Sequence, residues 1–333
     1  MKKEEFKHVV GIDISKNTLD LALLNASSSE ESCIQVSNDA KGLKQICNWI
    51  KSNGLGFDSI LFCMEHTGIY GLQVQNYLLR KKAFVWVEMA FQIIRSIGLQ
   101  RGKNDKVDAK RIAQYANRFQ DNRVLWTPPS QHQRAIKNLM RLRERLITAR
   151  NMLLVPVKEL ESVNEHESSK EILKSCQRTL KGIEADLLKV ENQLAELIKA
   201  DISIKRNVEL MTSIPGIGKW TALAFVLATE NFKHIINGRQ LACYCGCAPF
   251  EHRSGTSVRG KTRVSHMANK NLKKLLTLCA SSVLRMQNDL SNYYKRKVAE
   301  GKNKMSVINA LRNKLIHRIC AVIERQSPYI PTT

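Results

Sequence analysis

Four acidic residues occupy positions at which a carboxylate is uncommon unless it has a function. Asp13 interrupts the apolar strand pattern GIDIS, and Glu65 ends the apolar run ILFCM. A carboxylate within a buried strand is costly unless it is paired or binds a metal. Asp105 and Asp108, in GKNDKVDAKRIA, are three residues apart and would share one face of a helix. Each acid alone could be a surface residue or a helix cap, but the four together predict one site.

The chemistry of such a site follows from its oxygen ligands. Carboxylates select a hard cation, so Mg²⁺ or Mn²⁺ is the expected cofactor. Two such ions about 3.5–4 Å apart can clamp the attacking and leaving oxygens of a phosphodiester. Asp105 and Asp108 also have basic neighbours in the sequence. We predict that these neighbours contact nucleic acid, namely Lys103, Lys106, Lys110 and Arg111.

A second candidate site lies in the segment 245–276, CGCAPFEHRSGTSVRGKTRVSHMANKNLKKLL. Its Gly, Ser and Thr content with interleaved basic residues predicts a loop along a phosphate backbone, followed by a basic helix. Ser254 is a candidate hydroxyl nucleophile because it lies between Arg253 and Gly255. Ser257 and Ser265 would fit a phosphate contact equally well. The basic residues of this segment that we predict to bind nucleic acid are Arg253, Arg259, Lys261 and Arg263.

The segment SIPGIGKWTALAF, residues 213–225, has the pattern of a helix-hairpin-helix motif. Two glycines flank a tight turn that leads into a helix, so backbone N–H groups and Lys219 could bind a phosphate without reading sequence. The alternative is an ordinary packing corner between two helices.

The first 118 residues alternate between strand and helix patterns. The order of strand, strand, strand, helix, strand, helix, strand, helix predicts a layered α/β domain of the ribonuclease H type. Fold alone does not determine the chemistry. The predicted strands are 8–14, 18–25, 33–38, 59–66 and 83–89, and the predicted helices are 41–51, 70–82 and one starting near Asp105.

From Ser130 onward the pattern is that of long helices. Apolar residues from Leu173 to Leu197 hold a 3-4 heptad spacing, which predicts a coiled-coil seam. A loop near 156–168, opened by Pro156, would let two helices fold back as a hairpin or pair with another subunit. The predicted parts are a catalytic domain (1–125), a coiled-coil hairpin (130–205) and a mainly helical C-terminal domain (206–333).

The net charge of the chain indicates which class of molecule it binds. The 333 residues carry a formal net charge of +23, which calls for a polyanion such as nucleic acid or an anionic membrane surface. Residues 80–150 carry 17 Lys and Arg against 5 acids and residues 251–325 carry 17 against 4, whereas residues 151–212 carry 9 against 11. Nucleic acid should therefore contact the flanking segments, and the central helices should serve assembly.

The sequence gives no sign of a membrane protein. No apolar stretch approaches the roughly 20 residues of a spanning helix, and the start of the chain lacks a signal-peptide core, so we expect a cytoplasmic protein without a membrane partner. The nine cysteines fit reduced thiols. Cys243, Cys245 and Cys247 alternate as on one face of an extended segment, and we interpret them as packing residues rather than a zinc site.

Several of these motifs occur together in a known family. The blocks GIDISKNTLDLAL, MEHTGIYG, RGKNDKVDAKRIA, SIPGIGKWTA and CAPFEHRSG resemble, in order and over nearly the whole chain, those of the DEDD insertion-sequence transposases. That group comprises bridge-RNA-guided recombinases and is similar to the pilin-gene invertases. The resemblance implies a Holliday-junction resolvase-like N-terminal fold with Asp13, Glu65, Asp105 and Asp108 as the acidic tetrad.

The resemblance also implies a mechanism and partners. Ser254, in a block of the form APxxxxSG, would be the serine nucleophile of a composite site, giving a covalent phosphoserine intermediate and then strand exchange between donor and target double-stranded DNA. A structured noncoding guide RNA and a dimer or tetramer joined by the coiled coil are further implications. Aromatic residues make up only 6% of the chain, so we expect recognition by shape and phosphate contacts rather than by base stacking.

Two other functions fit parts of the sequence. A Holliday-junction resolvase-like nuclease would use the same four acids to activate water, with Ser254 as a phosphate contact. A non-enzymatic nucleic-acid-binding scaffold would need only the basic segments and the turn near Lys219, which leaves the four acids without a role.

Overall fold

The structure is a computed structural model that describes residues 5–26, 31–97, 105–233, 237–254, 258–264 and 268–331. For residues 97, 105, 106, 251–254 and 258–263 only the backbone is described. The chain divides into two compact units, Met1–Pro129 and Ser130–Thr333. The predicted coiled-coil and C-terminal parts fall within the second unit, and the three-part division stays a prediction.

The first unit contains a five-stranded mixed sheet. Its strands are β1 (His8–Ile14), β2 (Thr18–Asn25), β3 (Glu31–Ser37), β4 (Ile60–Glu65) and β5 (Phe84–Glu88). They lie in the order β3-β2-β1-β4-β5, with β1 antiparallel to β2 and parallel to β4. The carboxyl ends of β1, β4 and β5 therefore meet at one edge of the sheet.

Four helices accompany the sheet: α1 (Ala40–Ser52), α2 (Leu72–Arg80), α3 (Ala90–Ile97) and α4 (Asp105–Phe119). The predicted order of strands and helices is confirmed, with two differences. The strand β3 begins at Glu31, two residues before the predicted start. The helix α3 was not predicted, because eight residues give too short a periodic pattern.

The two faces of the sheet have separate cores. On one face, Val10 and Ile12 of β1 and Phe62 and Met64 of β4 pack with residues of α1 and α2. The alternate residues of the same strands face α4, since successive side chains of a strand point to opposite sides. This α4 face contains Val9, Leu61, Cys63, Trp86 and, from α4 itself, Ile112, Tyr115 and Ala116.

The second unit is mainly helical. Its helices are α5 (Gln131–Ser162), α6 (His166–Ala200), α7 (Ile202–Thr212), α8 (Lys219–Ala228), α9 (Gly238–Tyr244), α10 (Lys270–Val283), α11 (Asp289–Ala299) and α12 (Lys304–Arg325). Two strands, β6 (Pro249–Ser254) and β7 (Val258–Val264), form an antiparallel hairpin. No helix in the described parts of the chain combines the length and apolarity needed to cross a bilayer.

The prediction of a loop near 156–168 was wrong in its bounds. Helix α5 continues through Pro156 to Ser162, and α6 starts at His166. Proline removes one N–H from the helix, but Val157 beside it is buried and its packing holds the helix intact. Of the two predicted arrangements, the structure shows the hairpin: α5 and α6 pack together, and Arg143 Nε lies 2.6 Å from Glu191 Oε1.

The cysteines behave as packing residues, although their arrangement differs from the predicted one. Cys243 lies in the last turn of α9 and Cys245 caps that helix, so the three do not share one face of an extended strand. Cys245 and Cys247 are fully buried in the core of the second unit, and all nine cysteines are free thiols. Burial raises the pKa of the Cys245 and Cys247 thiols, which fits an inert packing role.

Candidate active site and nucleic-acid contacts

Asp13 and Glu65 lie at neighbouring strand ends on the same face of the sheet. Ile12 of β1 is aligned with Met64 of β4, and each acid is the next residue of its strand. Parallel strands lie about 4.8 Å apart, so the two carboxylates start from adjacent positions. Both side chains are half-buried. By the alternation of the strands they point to the α4 face.

Helix α4 covers that face at very short range. A Cβ atom on Gly11 would lie 2.2 Å from the Ala109 carbonyl oxygen and 2.3 Å from the Ala113 nitrogen, so only glycine permits this approach. Asp13 is two residues beyond Gly11 on the same strand face. Asp108 immediately precedes Ala109 on the helix. The tight packing therefore brings the Asp108 turn of α4 to the strand that carries Asp13.

The donor set fits a divalent cation. Asp13, Glu65 and Asp108 offer only carboxylate oxygens, the ligands that Mg²⁺ and Mn²⁺ prefer. Among residues whose side chains are described, no group of three ligands is close enough to enclose an ion as it stands. Asp105 is the first residue of α4, and its side chain lies outside the described set. Asp108 Oδ1 accepts a hydrogen bond from Arg111 Nη1 at 2.8 Å.

Sequence reasoning missed two further acids on this face. Glu88 of β5 is aligned with Glu65, and its Oε2 accepts a hydrogen bond of 3.3 Å from the Tyr115 hydroxyl of α4. Burial, and then the Glu88 charge, raise the pKa of Tyr115, so the hydroxyl remains a donor. Asp20 of β2 is aligned directly with Asp13. Both acids follow strand patterns like those of Asp13 and Glu65, but their position at the site depends on strand register.

The basic residues near Asp105 are partly engaged within the protein. Lys110 Nζ lies 2.5 Å from Glu31 Oε2 of β3, and this hydrogen bond raises the pKa of Lys110. Arg111 pairs with Asp108 as described above. Lys106 lies in the first turn of α4, but its side chain is outside the described set, and Lys103 lies outside the described residues altogether. A nucleic-acid role for these four residues stays a prediction.

The two glycines of the turn before Lys219 have different surroundings, and phosphate binding at this turn stays a prediction. Gly216 has a φ of +88°, and a Cβ there would lie 2.2 Å from Val283 Cγ2 of α10, so this glycine serves the packing corner. Gly218 is the N-cap of α8, and a Cβ atom added there would have no other atom within 4 Å. Lys219 is exposed, with Nζ 5.2 Å from the Trp220 ring centroid. The open side of the turn is therefore at Gly218 and Lys219.

The segment with Ser254 is a β-hairpin, not the predicted loop. Ser254 is the last residue of β6 and is aligned with Val258 of β7, while Arg253 is aligned with Arg259. The strand residues Val258 and Val264 favour extended backbone over the irregular loop that the glycines and serines suggested. The side chains of Ser254, Arg253, Arg259, Lys261 and Arg263 lie outside the described set, and Ser257 and Ser265 lie outside the described residues.

Two family models match the chain. A DEDD transposase model of the IS110 group matches residues 10–160, and the transposase model of the IS116/IS110/IS902 family matches residues 208–295. The first match includes all four predicted acids, and the second includes Lys219 and Ser254.

Relatives that match most of the chain agree with these models. The pilin gene-inverting protein of Moraxella bovis is 26% identical over 97% of this chain and 98% of its own length. The transposase for insertion sequence element IS1111A of Coxiella burnetii is 25% identical over 69% of each chain. A solved structure, Thermus thermophilus RuvC in complex with a Holliday junction substrate, matches 36% of this chain and 99% of that chain at 10% identity. Its TM-score of 0.28 is too low to bear on the fold. By its two family matches and these relatives, the chain belongs to the DEDD-type transposases of the IS110 family.

Proposed function

We propose that this transposase cuts and rejoins DNA with Asp13, Glu65, Asp105 and Asp108 as ligands of Mg²⁺ or Mn²⁺. The observation that carries the proposal is the placement of Asp13 and Glu65 at adjacent parallel strand ends, on the face that α4 covers. When bound, the cation would neutralise the charge of a phosphodiester and polarise its P–O bonds. The acids themselves hold the cation and fix its position relative to α4.

The nucleophile in this proposal is the hydroxyl of Ser254. Its oxygen forms a bond to a DNA phosphorus, and the bond from that phosphorus to one deoxyribose oxygen breaks. The serine gives up its proton, and the deoxyribose oxygen takes one up and leaves as a free hydroxyl. Reversal with a second DNA end restores the serine and completes strand exchange. The support is the position of Ser254 at the end of β6 within a segment rich in arginine and lysine.

The partners in the proposal are donor and target double-stranded DNA, a structured guide RNA, and further copies of the chain. The basic surplus in residues 80–150 and 251–325 supports a nucleic-acid partner. Assembly through α5 and α6 is supported by large apolar side chains that remain exposed on these two helices, namely Leu142, Met152, Val155, Leu173 and Leu188.

The decisive experiment is a search for a covalent protein–DNA adduct on denaturing gels. The protein is incubated with its native flanking DNA and Mg²⁺, and Ser254→Ala is compared with Ser257→Ala, which removes a hydroxyl from the same segment. We expect an adduct with the parent protein and with Ser257→Ala but none with Ser254→Ala. An adduct lost only in Ser257→Ala would move the nucleophile to Ser257.

The same gel tests the alternative. Metal-dependent nicks without any adduct, equal in the parent protein and Ser254→Ala, would favour a Holliday-junction resolvase-like nuclease that uses water. Ser254 would then be a phosphate contact, and the strand-exchange step of the proposal would be wrong.

A further inference from the structure

Asp20 lies directly opposite Asp13 in the register of β1 and β2. These two strands are antiparallel. Side chains directly opposite each other in an antiparallel pair point to the same side, with Cβ atoms about 4.5–5.5 Å apart. The next aligned pair on this face is Gly11 and Ala22, where α4 packs onto the sheet. Asp20 therefore lies under the start of α4, beside Asp13.

The Asp20 side chain is buried, with 2% of the residue exposed. Gln35 Nε2 of β3 donates to both of its carboxylate oxygens at 3.0 Å. Among the residues whose side chains are described, no lysine, arginine or histidine forms an ion pair with Asp20. The carboxylate is thus held by one neutral amide group and has a second carboxylate at the opposite position.

Two carboxylates at opposite positions of a strand pair repel each other. Like charges directly opposite each other on a sheet destabilise it. A buried carboxylate without a cation adds a further cost, which one neutral hydrogen-bond donor offsets only in part. A divalent cation bound at Asp13 would remove both penalties. The hydrogen bonds from Gln35 tie β2 to β3 but do not require a charged partner, because a neutral oxygen could accept them as well.

We propose that Asp20 is a positioning residue whose negative charge strengthens divalent-cation binding at Asp13 without being one of the four ligands. This inference rests on the proposed function, because it requires a cation at Asp13. Gln35 fixes the orientation of the Asp20 carboxylate, and the charge acts on the cation through the short distance to Asp13. Such outer partners of metal ligands typically change metal affinity by about 10–100-fold.

The test measures Mn²⁺ binding by electron paramagnetic resonance, together with thermal unfolding in chelator, on the full chain. We expect Asp20→Asn to weaken Mn²⁺ binding by about 10–100-fold. We also expect it to raise the unfolding midpoint of the metal-free protein by about 2–4 °C, because the repulsion with Asp13 is removed. Catalytic activity lost in Asp20→Asn should return at high Mn²⁺ concentration, whereas that of Asp13→Asn should not.

Two further variants separate charge from structure. Gln35→Leu keeps the Asp20 charge, so Mn²⁺ affinity should stay within about 3-fold of the parent value while the metal-free protein becomes less stable. Asp58→Asn removes the same charge just before the amino end of β4, a strand about 17 Å long whose other end carries Glu65, and should leave Mn²⁺ affinity unchanged.

Each opposite result has a distinct meaning. If Asp20→Asn binds Mn²⁺ like the parent protein, or is less stable or unfolded without metal, Asp20 serves only to tie β2 to β3 and the inference is wrong. In that case loss of binding in Asp13→Asn would still support the proposed function. If the parent protein binds no Mn²⁺ at all, both the inference and the metal-dependent function fail together.

Discussion

At the residue scale, Glu65 is the clearest test of metal dependence. Glu65→Gln keeps the size of the side chain and removes a charge at the edge where β1 and β4 end. We expect DNA cleavage and rejoining to fall by about 100- to 1000-fold, the loss that is typical when one electrostatic contact to the transition state is removed. DNA binding and the unfolding midpoint should change little, because Glu65 is half-buried at a strand end.

The control for Glu65 is Asp58→Asn, which makes the same charge change before the amino end of β4. Cleavage assays in Mg²⁺ and in chelator measure both variants. Full activity of the parent protein in chelator, or normal activity of Glu65→Gln, would contradict the metal site.

Gly11 provides a second prediction at the residue scale, which concerns the packing of α4 against β1. A Cβ at Gly11 would overlap backbone atoms of Ala109 and Ala113, which cannot move without displacing α4. Gly11→Ala should therefore lower the free energy of unfolding of the first unit by roughly 2–4 kcal/mol, as expected for overpacking against backbone. Urea unfolding measures this change.

A glycine with open surroundings provides the control for Gly11. Gly182 of α6 has no atom within 4 Å of its Cβ position, so Gly182→Ala should be neutral or stabilising by up to about 1 kcal/mol. Equal effects at the two positions would mean that α4 does not approach β1 as closely as described.

The sequence could predict Asp13 and Glu65 because each carboxylate falls within or at the end of an apolar strand pattern. Asp20, in TLDLALL, carries the same signal, yet its place beside Asp13 follows only from the pairing of β1 with β2. Glu88 likewise becomes a neighbour of Glu65 through the parallel register of β4 and β5. Local pattern thus finds candidate acids, whereas strand register decides which of them share a site.

At the element scale, the strand order and most helix positions were predictable because the apolar periodicity is regular in β1 to β5 and in α1, α2 and α4. The incorrect predictions concerned residues whose usual structural preference was overridden by packing. Pro156 suggested a break, but α5 continues because Val157 is buried. The glycines and serines near Ser254 suggested a loop, but their segment pairs as the hairpin of β6 and β7.

Arg143 of α5 contacts both α6 and α8 in the second unit. Its replacement therefore tests how these helices are held together. Its Nε pairs with Glu191 of α6, and its guanidinium lies 4.4 Å from the ring centroid of Trp220 in α8. Arg143→Ala should lower the free energy of unfolding by about 1–2 kcal/mol, the combined contribution of a partly buried ion pair and a cation–π contact. Urea unfolding followed by Trp fluorescence measures the loss.

Arg296 is the matched control for Arg143. It has the same two kinds of partner, but the Tyr293 ring is in its own helix α11, Glu300 is the C-cap of that helix, and the side chain is largely exposed. Arg296→Ala should change the free energy of unfolding by no more than about 0.5 kcal/mol. If the two variants lose the same stability, Arg143 does not hold α5, α6 and α8 together.

At the scale of the whole molecule, the net charge of +23 predicts DNA binding that weakens steeply with salt. Each phosphate neutralised by a lysine or arginine releases counterions, so the logarithm of the binding constant falls linearly with that of the salt concentration. The slope of this line is proportional to the number of phosphate contacts. The unequal distribution of charge along the chain further predicts that lysines in different segments contribute differently to this slope.

Lys219 and Lys181 test that difference. Lys219 is exposed at the start of α8, beside the open Gly218 turn, and Lys181 is exposed on α6, in the segment without a basic surplus. Lys219→Gln should reduce the steepness of the salt dependence by about one contact and weaken binding to all DNA sequences alike. Lys181→Gln removes the same charge and should leave the slope unchanged. Fluorescence anisotropy with labelled duplexes from 50 to 300 mM salt measures both, and equal slopes for the two variants would mean that Lys219 contributes only to the overall charge and makes no phosphate contact.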